Sequence, residues 1–248
     1  LDKNKYGLII TPFDESSVDW CVEANTDFLK VASCSANDWP LLEKIADADL
    51  PVIASTGGLD WMNIDNIVSF FQHRAVDFSL MHCISVYPTL MENCNISLIS
   101  SFIKRYPNIN IGWSTHEDPE DLSIGPLAYS LGARLFEKHI GIKSKKYKLN
   151  KYSITPDLFE KYLEKMKQTK IIIGNENEKK VTELEKKTLS TLERGVYIKK
   201  DLKSGEHLSP KNIYFAFPKI RNQISSSGFS FKHKKYKKLK NLKRNKAI

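Results

Sequence analysis

The chain has 248 residues, of which 41% are hydrophobic, so it can bury a substantial core and is not a disordered polypeptide. Its net charge of +9 comes from one end: nine of the 38 Lys and Arg residues lie within 232–248, and the other 29 balance the 29 acidic residues. We therefore expect a neutral body with a solvated, mobile basic tail that binds no specific nucleic acid.

Short β-rich apolar runs alternate with amphipathic segments along the first part of the chain. The predicted strands are residues 6–11, 27–32, 51–55, 77–82, 109–114 and 134–139. The predicted helices between them are residues 14–24, 40–48, 63–74, 96–106 and 119–131, several with Asp or Asn near the start and Pro in the first turn. This alternation predicts an α/β fold with a parallel sheet and right-handed crossovers.

Polar side chains cluster where each predicted strand ends. They are Thr11, Lys30 with Ser33, the turn Ser55-Thr56-Gly57-Gly58, His82 with Ser85 and Tyr87, Ser114 with His116, and Lys138 with His139. Recurrence at every strand end is typical of a (β/α) barrel, whose site is built from the loops at its C-terminal face. A closed barrel needs eight strands. Either two strands lie before Leu1 in a longer chain, or the sheet is a smaller open one.

The remaining segments change character. A helix is predicted over 156–170, followed by a polar linker over 174–180 and a second helix over about 181–191. Residues 195–217 then read as a separate small β-rich module, with short β runs and a Lys-Ser-Gly-Glu turn at 203–206.

Cysteine spacing and hydropathy bear on the compartment. The four cysteines show no CxxC spacing, which argues against a disulfide framework or a zinc knuckle and favours a reducing cytoplasm. We find no run of about 18 apolar residues and no charged-then-apolar leader, so we expect no membrane span and no signal peptide. The missing initial Met indicates an incomplete N-terminus.

Two histidines stand at the ends of consecutive predicted strands, His116 after residues 109–114 and His139 closing 134–139. Imidazoles aimed into the crevice at the carboxyl ends of parallel strands can share one metal ion or act as acid and base. The alternative is that each is a hydrogen-bonded structural residue.

Lys30 interrupts an otherwise apolar strand, and an amine withdrawn from water needs an anionic partner. Ser33, Ser55 and Ser114 could add hydroxyl donors, and the turn at 55–58 could add backbone N–H groups. Together they predict a phosphate or carboxylate pocket facing the histidines. The alternative for Lys30 is a snorkelling side chain.

Six ordered motifs resemble the sialic acid synthase family. They are ITPF (10–13), LKVAS (29–33), PVIASTG (51–57), LMHC (80–83) with YPT (87–89), IGWSTH (111–116) and FEKH (136–139). The segments RGVY (194–197) and DLKSGE (201–206) resemble that family's small antifreeze-like (SAF, β-clip) domain. The resemblance covers the chain except its basic tail.

The resemblance implies a TIM-type barrel lacking its first two strands over 1–173, a linker and helix over 174–192, an SAF domain over 193–231 and the basic tail over 232–248. It implies condensation of phosphoenolpyruvate with an N-acylated hexosamine, with release of phosphate, in surface carbohydrate biosynthesis. His116 and His139 would ligate catalytic Mn²⁺ or Mg²⁺, and Ser85 and Tyr87 would contact the sugar. Phosphoenolpyruvate would bind at Thr11, Lys30, Ser33, Ser55 and Ser114. The family also implies a homodimer.

The chain also departs from the family pattern. Ser35 and Ser85 replace an expected acid and Asn, Thr115 replaces the Asp of Ser-Asp-His, and residues 147–153 replace a Gly-Pro-Asp loop. An Arg that the small domain normally sends into a partner's site aligns with Phe217, although Lys219 and Arg221 are nearby. These departures point to a divergent branch with an unassigned acceptor, for example a bacillosamine-derived sugar. The alternative to an enzyme is an inactive carbohydrate-binding or scaffolding remnant of a split synthase gene.

Overall fold

The computed structural model describes residues 5–174, 178–232 and 241–248, with only the backbone for 230–232. The chain divides into two compact units, residues 1–174 and 175–248. Within the described residues, no helix is both long and apolar enough to cross a membrane.

The first unit alternates strands and helices as the hydrophobic pattern predicts. Its strands are β1 Ile9–Ile10, β2 Phe28–Val31, β3 Val52–Ser55, β4 Phe78–Cys83, β5 Asn110–Thr115 and β6 Leu135–Lys138. Its α-helices are α1 Glu15–Glu23, α2 Trp39–Ala46, α3 Trp61–His73, α4 Leu98–Arg105, α5 Ile124–Ser130 and α6 Pro156–Ile173. Asp14, Asp38 and Asp60 start α1, α2 and α3, because each carboxylate accepts a hydrogen bond from a backbone N–H of the first turn.

The sheet is parallel throughout, and its strands follow chain order from β1 to β6. One face packs against the helices through a continuous apolar core that includes Leu29, Val31, Leu80, Ile111 and Trp113. Because side chains alternate along a strand, the residues between these point to the opposite face.

One contact across that opposite face shows that the sheet is curved. Lys30 on β2 and Glu137 on β6 form an ion pair with an Nζ–Oε2 distance of 3.2 Å. In a flat sheet the two strands, four positions apart, would be separated by about 19 Å. The six strands therefore curl into an open half-barrel, as the fold class predicted.

Helix α5 corrects a predicted boundary. The expected start at residue 119 is five residues too early, since α5 begins at Ile124. The side chains of Asp118 and Asp121 accept hydrogen bonds from the backbone N–H groups of Glu120 and Ser123, two residues on. These local turns compete with helical hydrogen bonding and hold the segment as a loop.

The second unit is built on a small antiparallel sheet. Helix α7, Glu183–Thr191, precedes strands β7, Gly195–Ile198, and β8, Ile213–Ala216, which pair with each other, and α8 spans Ser226–Lys232. Its core contains Val196, Ile198, Leu202, Leu208, Ile213, Phe229 and Leu242.

The expected solvated tail over 232–248 is wrong for its last part. Leu202 and Leu242 exchange backbone hydrogen bonds of 2.9 Å, and the Ile248 N–H donates to the Val196 carbonyl. Leu242 also lies in the core of the second unit. The apolar residues among the lysines thus hold residues 241–248 in place, a contribution that charge counting overlooks. Residues 233–240 of the predicted tail lie outside the described residues.

Gly112 on β5 is required by close packing inside the half-barrel. A Cβ at this position would collide with Met81 Sδ and lie 2.7 Å from the Leu135 carbonyl oxygen. We expect Gly112→Val to lower the free energy of unfolding of this unit by about 2 kcal/mol, because backbone must shift to admit the side chain. Urea unfolding followed by tryptophan fluorescence measures the change, and an unaltered midpoint would contradict this packing.

Candidate functional site

The inner face of the half-barrel carries a hydrogen-bonded cluster centred on Lys30. Lys30 is only 6% exposed, and its Nζ donates to Ser55 Oγ at 2.7 Å and contacts Glu137 Oε2 at 3.2 Å. Ser114 Oγ donates to Glu137 Oε1 at 2.9 Å. The structure therefore unites three of the residues predicted to hold an anion, and it pairs the buried amine with a carboxylate rather than letting it snorkel.

Some hydrogen-bond donors of this cluster are unused within the described residues and can bind a ligand. Lys30 Nζ has three protons, of which two are directed at Ser55 and Glu137, so one remains for an anion. Ser55 Oγ accepts from Lys30 and so keeps its own O–H free to donate. The Ser114 hydroxyl donates its hydrogen bond to Glu137, so toward a ligand it can act only as an acceptor.

Ser33 and the turn at 55–58 form a second part of the site. The Gly57 N–H donates to Ser33 Oγ at 3.0 Å, and a Cβ on Gly57 would collide with the hydroxyls of Ser33 and Ser85. The Thr56 N–H donates to the Met81 carbonyl. The expectation that these turn N–H groups face an anion is therefore wrong at 56 and 57, because both are engaged within the chain.

Thr11 and Ser85 are placed less centrally. Thr11 directly follows β1. The last β1–β2 pair is Ile10 with Leu29, one residue before Thr11 and Lys30 in each strand. Ser85 is exposed and lies beside Gly57 and Ser33. The structure thus brings Ser85 to the serine side of the site and leaves Thr11 at the edge strand.

His116 and His139 lie together at the carboxyl ends of β5 and β6, with ring centroids 5.2 Å apart. His116 is 5% exposed, and its Nδ1 lies 3.1 Å from the Ile84 carbonyl oxygen. Because a carbonyl only accepts, Nδ1 carries the proton, and Nε2 keeps a free lone pair. Burial lowers the pKa of His116, and the Ile84 contact opposes that shift only in part. The neutral imidazole that a metal requires is thus favoured.

Two aromatic rings enclose the histidine pair. The Tyr87 ring lies 4.2 Å from the His116 ring, and the Tyr152 ring lies 5.0 Å from the His139 ring, centroid to centroid. Tyr152 reaches the site because the chain doubles back: Ile154 N–H donates to the His139 carbonyl and Gly141 N–H to the Ile154 carbonyl. The sequence had singled out Tyr87 but not Tyr152, whose position depends on that return path.

The two imidazoles are a partial set of metal ligands. Among the described residues, no three His, Cys, Asp or Glu side chains are grouped to hold an ion, so the protein offers the two imidazoles. Mg²⁺ prefers oxygen ligands, whereas Mn²⁺, a first-row transition-metal ion, also binds nitrogen ligands, although more weakly than the later ions of the row.

Two predicted strand-end residues face the helices instead of the site. His82 is buried, contacts the Trp113 and Phe102 rings, and approaches the Cys94 carbonyl through Nε2 at 3.1 Å. Lys138 forms a buried ion pair with Glu117. The period of two along a strand explains both, since each alternates with a residue of the inner face.

Glu137 is the principal residue that sequence reasoning missed as part of the site. It precedes His139 by two positions, as Ser114 precedes His116, and strand alternation puts each pair on one face. That spacing was the available signal.

Comparison with known proteins adds a family match. Residues 2–178 match the model of the NeuB family. Over 145 residues the chain is 38% identical to an N-acetylneuraminate-9-phosphate synthase of Drosophila melanogaster, covering 58% of this chain and 38% of that protein. It is 30% identical to a pseudaminic acid synthase of Campylobacter jejuni, covering 82% of this chain and 58% of that one. The chain thus spans less than two thirds of the length of these relatives.

A solved structure extends the likeness to the whole chain. A Chromobacterium violaceum protein described as a spore coat polysaccharide biosynthesis protein E superposes with a TM-score of 0.89 at 36% identity. The match covers 99% of this chain and 73% of that one.

Proposed function

The chain belongs to the NeuB family, and from that premise we propose that it is part of a nonulosonic acid synthase, which joins phosphoenolpyruvate to an N-acylated hexosamine and releases phosphate. The named relatives make N-acetylneuraminate 9-phosphate and pseudaminic acid, which supports this class of product. The observation that carries the proposal is the Lys30 cluster, a buried amine with a free proton on the same face as the histidine pair.

Phosphoenolpyruvate would bind on the inner face of β2, β3 and β5. The remaining proton of Lys30 and the free O–H of Ser55 would donate to its anionic groups, and Ser33 and Thr11 would complete the cradle. Glu137 would hold the Lys30 amine in place, because its carboxylate lies 3.2 Å from Nζ. Charge that develops on the departing phosphate would be stabilised by this preorganised amine.

His116 and His139 would hold Mn²⁺. When bound, the ion would polarise the aldehyde oxygen of the open-chain sugar. The Ile84 carbonyl would fix the His116 ring so that Nε2 points to the metal, the role that outer hydrogen bonds play at such sites.

The sugar would lie against Tyr87, with Ser85 close by. Tyr87 presents an exposed ring that contacts the His116 ring at an interplanar angle of 54°, a surface suited to the apolar face of a hexosamine. Ser85 stands where the family pattern has Asn, and it presents a smaller hydrogen-bonding group. The acceptor is therefore proposed at the level of an N-acylhexosamine, for example a bacillosamine-derived sugar.

The surroundings of the site are proposed from the family as well. Two further strands, pairing with β1 and β6, would close the half-barrel into eight strands. The second unit, with its small antiparallel sheet, would act as an SAF domain in a homodimer.

Release of inorganic phosphate tests the proposal. We expect the protein, with any polypeptide its gene encodes ahead of residue 1, to release phosphate from phosphoenolpyruvate when Mn²⁺ and an accepted N-acylhexosamine are present. Reactions without sugar serve as the control and should stay at background. Absence of release with every sugar tried, in protein shown by circular dichroism to be folded, would reject the enzyme and favour a non-catalytic role.

A further inference from the structure

A buried ion pair lies behind the sheet, on the face opposite the histidines. Lys138 Nζ contacts Glu117 Oε1 at 2.8 Å, and the two side chains are 4% and 1% exposed. Lys138 Nζ also donates to Thr115 Oγ1 at 3.0 Å. The pair thus links the end of β5 to the end of β6 from the helix side.

Each member of this pair is next in sequence to one histidine of the candidate metal site. Glu117 follows His116, and Lys138 precedes His139. The backbone register of β5 and β6 ends at Thr115 and Lys138. Both histidines therefore lie one residue beyond the last β5–β6 pair, and their carbonyls accept backbone hydrogen bonds from other segments, from Thr89 at His116 and from Ile154 at His139.

Stability alone gives a poor reason for this arrangement. Removing two charges from water costs several kcal/mol per ion, and their attraction returns that cost only when the remaining polar atoms are satisfied. Among the described residues, neither Glu117 Oε2 nor the nearby Tyr162 Oη has a hydrogen-bond partner. An apolar pair of similar volume would pack here without that cost.

We infer that Lys138 and Glu117 are a positioning pair, which holds the ends of β5 and β6 together and so sets the separation of the His116 and His139 imidazoles. The inference rests on the proposed function to the extent that these histidines bind a divalent ion. Neither residue faces the inner cluster, so the pair acts only through the two strand ends.

Glu117→Gln and Lys138→Met test the inference through Mn²⁺ affinity, measured by calorimetry well below the unfolding temperature. Each is expected to weaken binding by about 10-fold to 100-fold, the usual effect of losing an outer support of a metal ligand. Asp65→Asn is the matched control: it removes the Asp65–Arg105 ion pair between α3 and α4 and should leave Mn²⁺ affinity unchanged.

A rescue variant separates positioning from simple loss of stability. In Glu117→Gln/Thr115→Asp the carboxylate moves to the other position that Lys138 Nζ contacts, still on the helix side. We expect Mn²⁺ affinity to return to within about threefold of the unmodified protein. Glu117→Leu/Lys138→Met should fold well and still bind Mn²⁺ at least about 10-fold more weakly, because packing is kept and the tether is lost.

Crystal structures supply a readout that needs no metal. In Glu117→Gln the centroid separation of the two imidazoles is expected to depart from 5.2 Å by more than about 1 Å. An unchanged separation of the imidazoles in Glu117→Gln would overturn the inference. So would an unchanged Mn²⁺ affinity of Glu117→Gln, provided that His116→Ala abolishes binding. Either result would leave the proposed function standing. If the unmodified protein binds no Mn²⁺, the metal of the proposed function fails, and the crystallographic separation still decides whether the pair positions the rings.

Discussion

His116→Ala and His139→Ala are each expected to lower Mn²⁺ affinity by more than about 100-fold and to abolish sugar-dependent phosphate release. The reason is geometric: the described residues offer these two imidazoles, 5.2 Å apart, and no cluster of three or more ligating side chains, so the loss of either leaves a single protein ligand. Isothermal calorimetry measures the affinity, and malachite-green detection of phosphate measures the reaction.

The pH dependence adds an independent check on the same site. Burial lowers the pKa of His116 from its ordinary value, so this imidazole stays neutral to a lower pH than a free histidine. Protons compete with the metal at His116 only below that depressed pKa, so protonation of His116 should weaken Mn²⁺ binding only when the pH falls below about 6.5, the ordinary pKa of histidine. His73→Ala, at an exposed position in the last turn of α3, is the control for the two histidine substitutions and should change neither Mn²⁺ affinity nor phosphate release. Equal Mn²⁺ affinity in His116→Ala, His139→Ala and His73→Ala would refute the assignment of His116 and His139 as metal ligands.

The order of strands and helices could be predicted from the sequence because it follows from hydrophobic period and capping. Asp14 caps α1 at its predicted start, whereas Asp38 and Asp60 cap α2 and α3, which begin one and two residues before their predicted starts. Where local side chains compete with the backbone, as at Asp118 and Asp121, the same rules place a helix too early. Element boundaries thus fail at residues whose side chains can replace a helical hydrogen bond.

The sequence predicted the site residues that stand at or near strand ends and missed others. Lys30, Ser55, Ser114 and the two histidines stand at or near strand ends, and the parallel sheet brings them to one edge. Glu137 and Tyr152 escaped detection for different reasons. Glu137 required strict use of strand alternation, and Tyr152 depends on the contact between residues 140 and 154, which no local pattern encodes.

The curl of the sheet is the step that links fold to chemistry. Strand order alone does not bring β2 and β6 together, yet the Lys30–Glu137 ion pair requires it. Curvature arises from the twist of successive parallel strands covered by helices on one face. An amine and a carboxylate that are 107 positions apart in sequence thus become one hydrogen-bonded unit.

Lys30→Met is expected to weaken phosphoenolpyruvate binding by about 100-fold, with a rise in KM larger than the fall in kcat. The substitution keeps the volume of the stem and removes the only proton of Nζ that Ser55 and Glu137 leave free. A hydrogen bond to a charged group contributes about 1.5–3 kcal/mol, which corresponds to a loss of roughly 10-fold to 150-fold in affinity. Unpaired Glu137 would add repulsion toward an anionic substrate.

Two further variants separate this electrostatic role from packing. Lys44→Met removes a half-exposed lysine that pairs with Asp19 on the helical surface, and it should leave phosphoenolpyruvate affinity unchanged. Lys30→Met/Glu137→Gln removes both charges, so the repulsive part of the loss should disappear and affinity should recover by several-fold, though not to its original level. Recovery would show that Glu137 acts on the substrate through its charge. If Lys30→Met alone binds phosphoenolpyruvate within threefold of the unmodified protein, Lys30 is not part of the anion site.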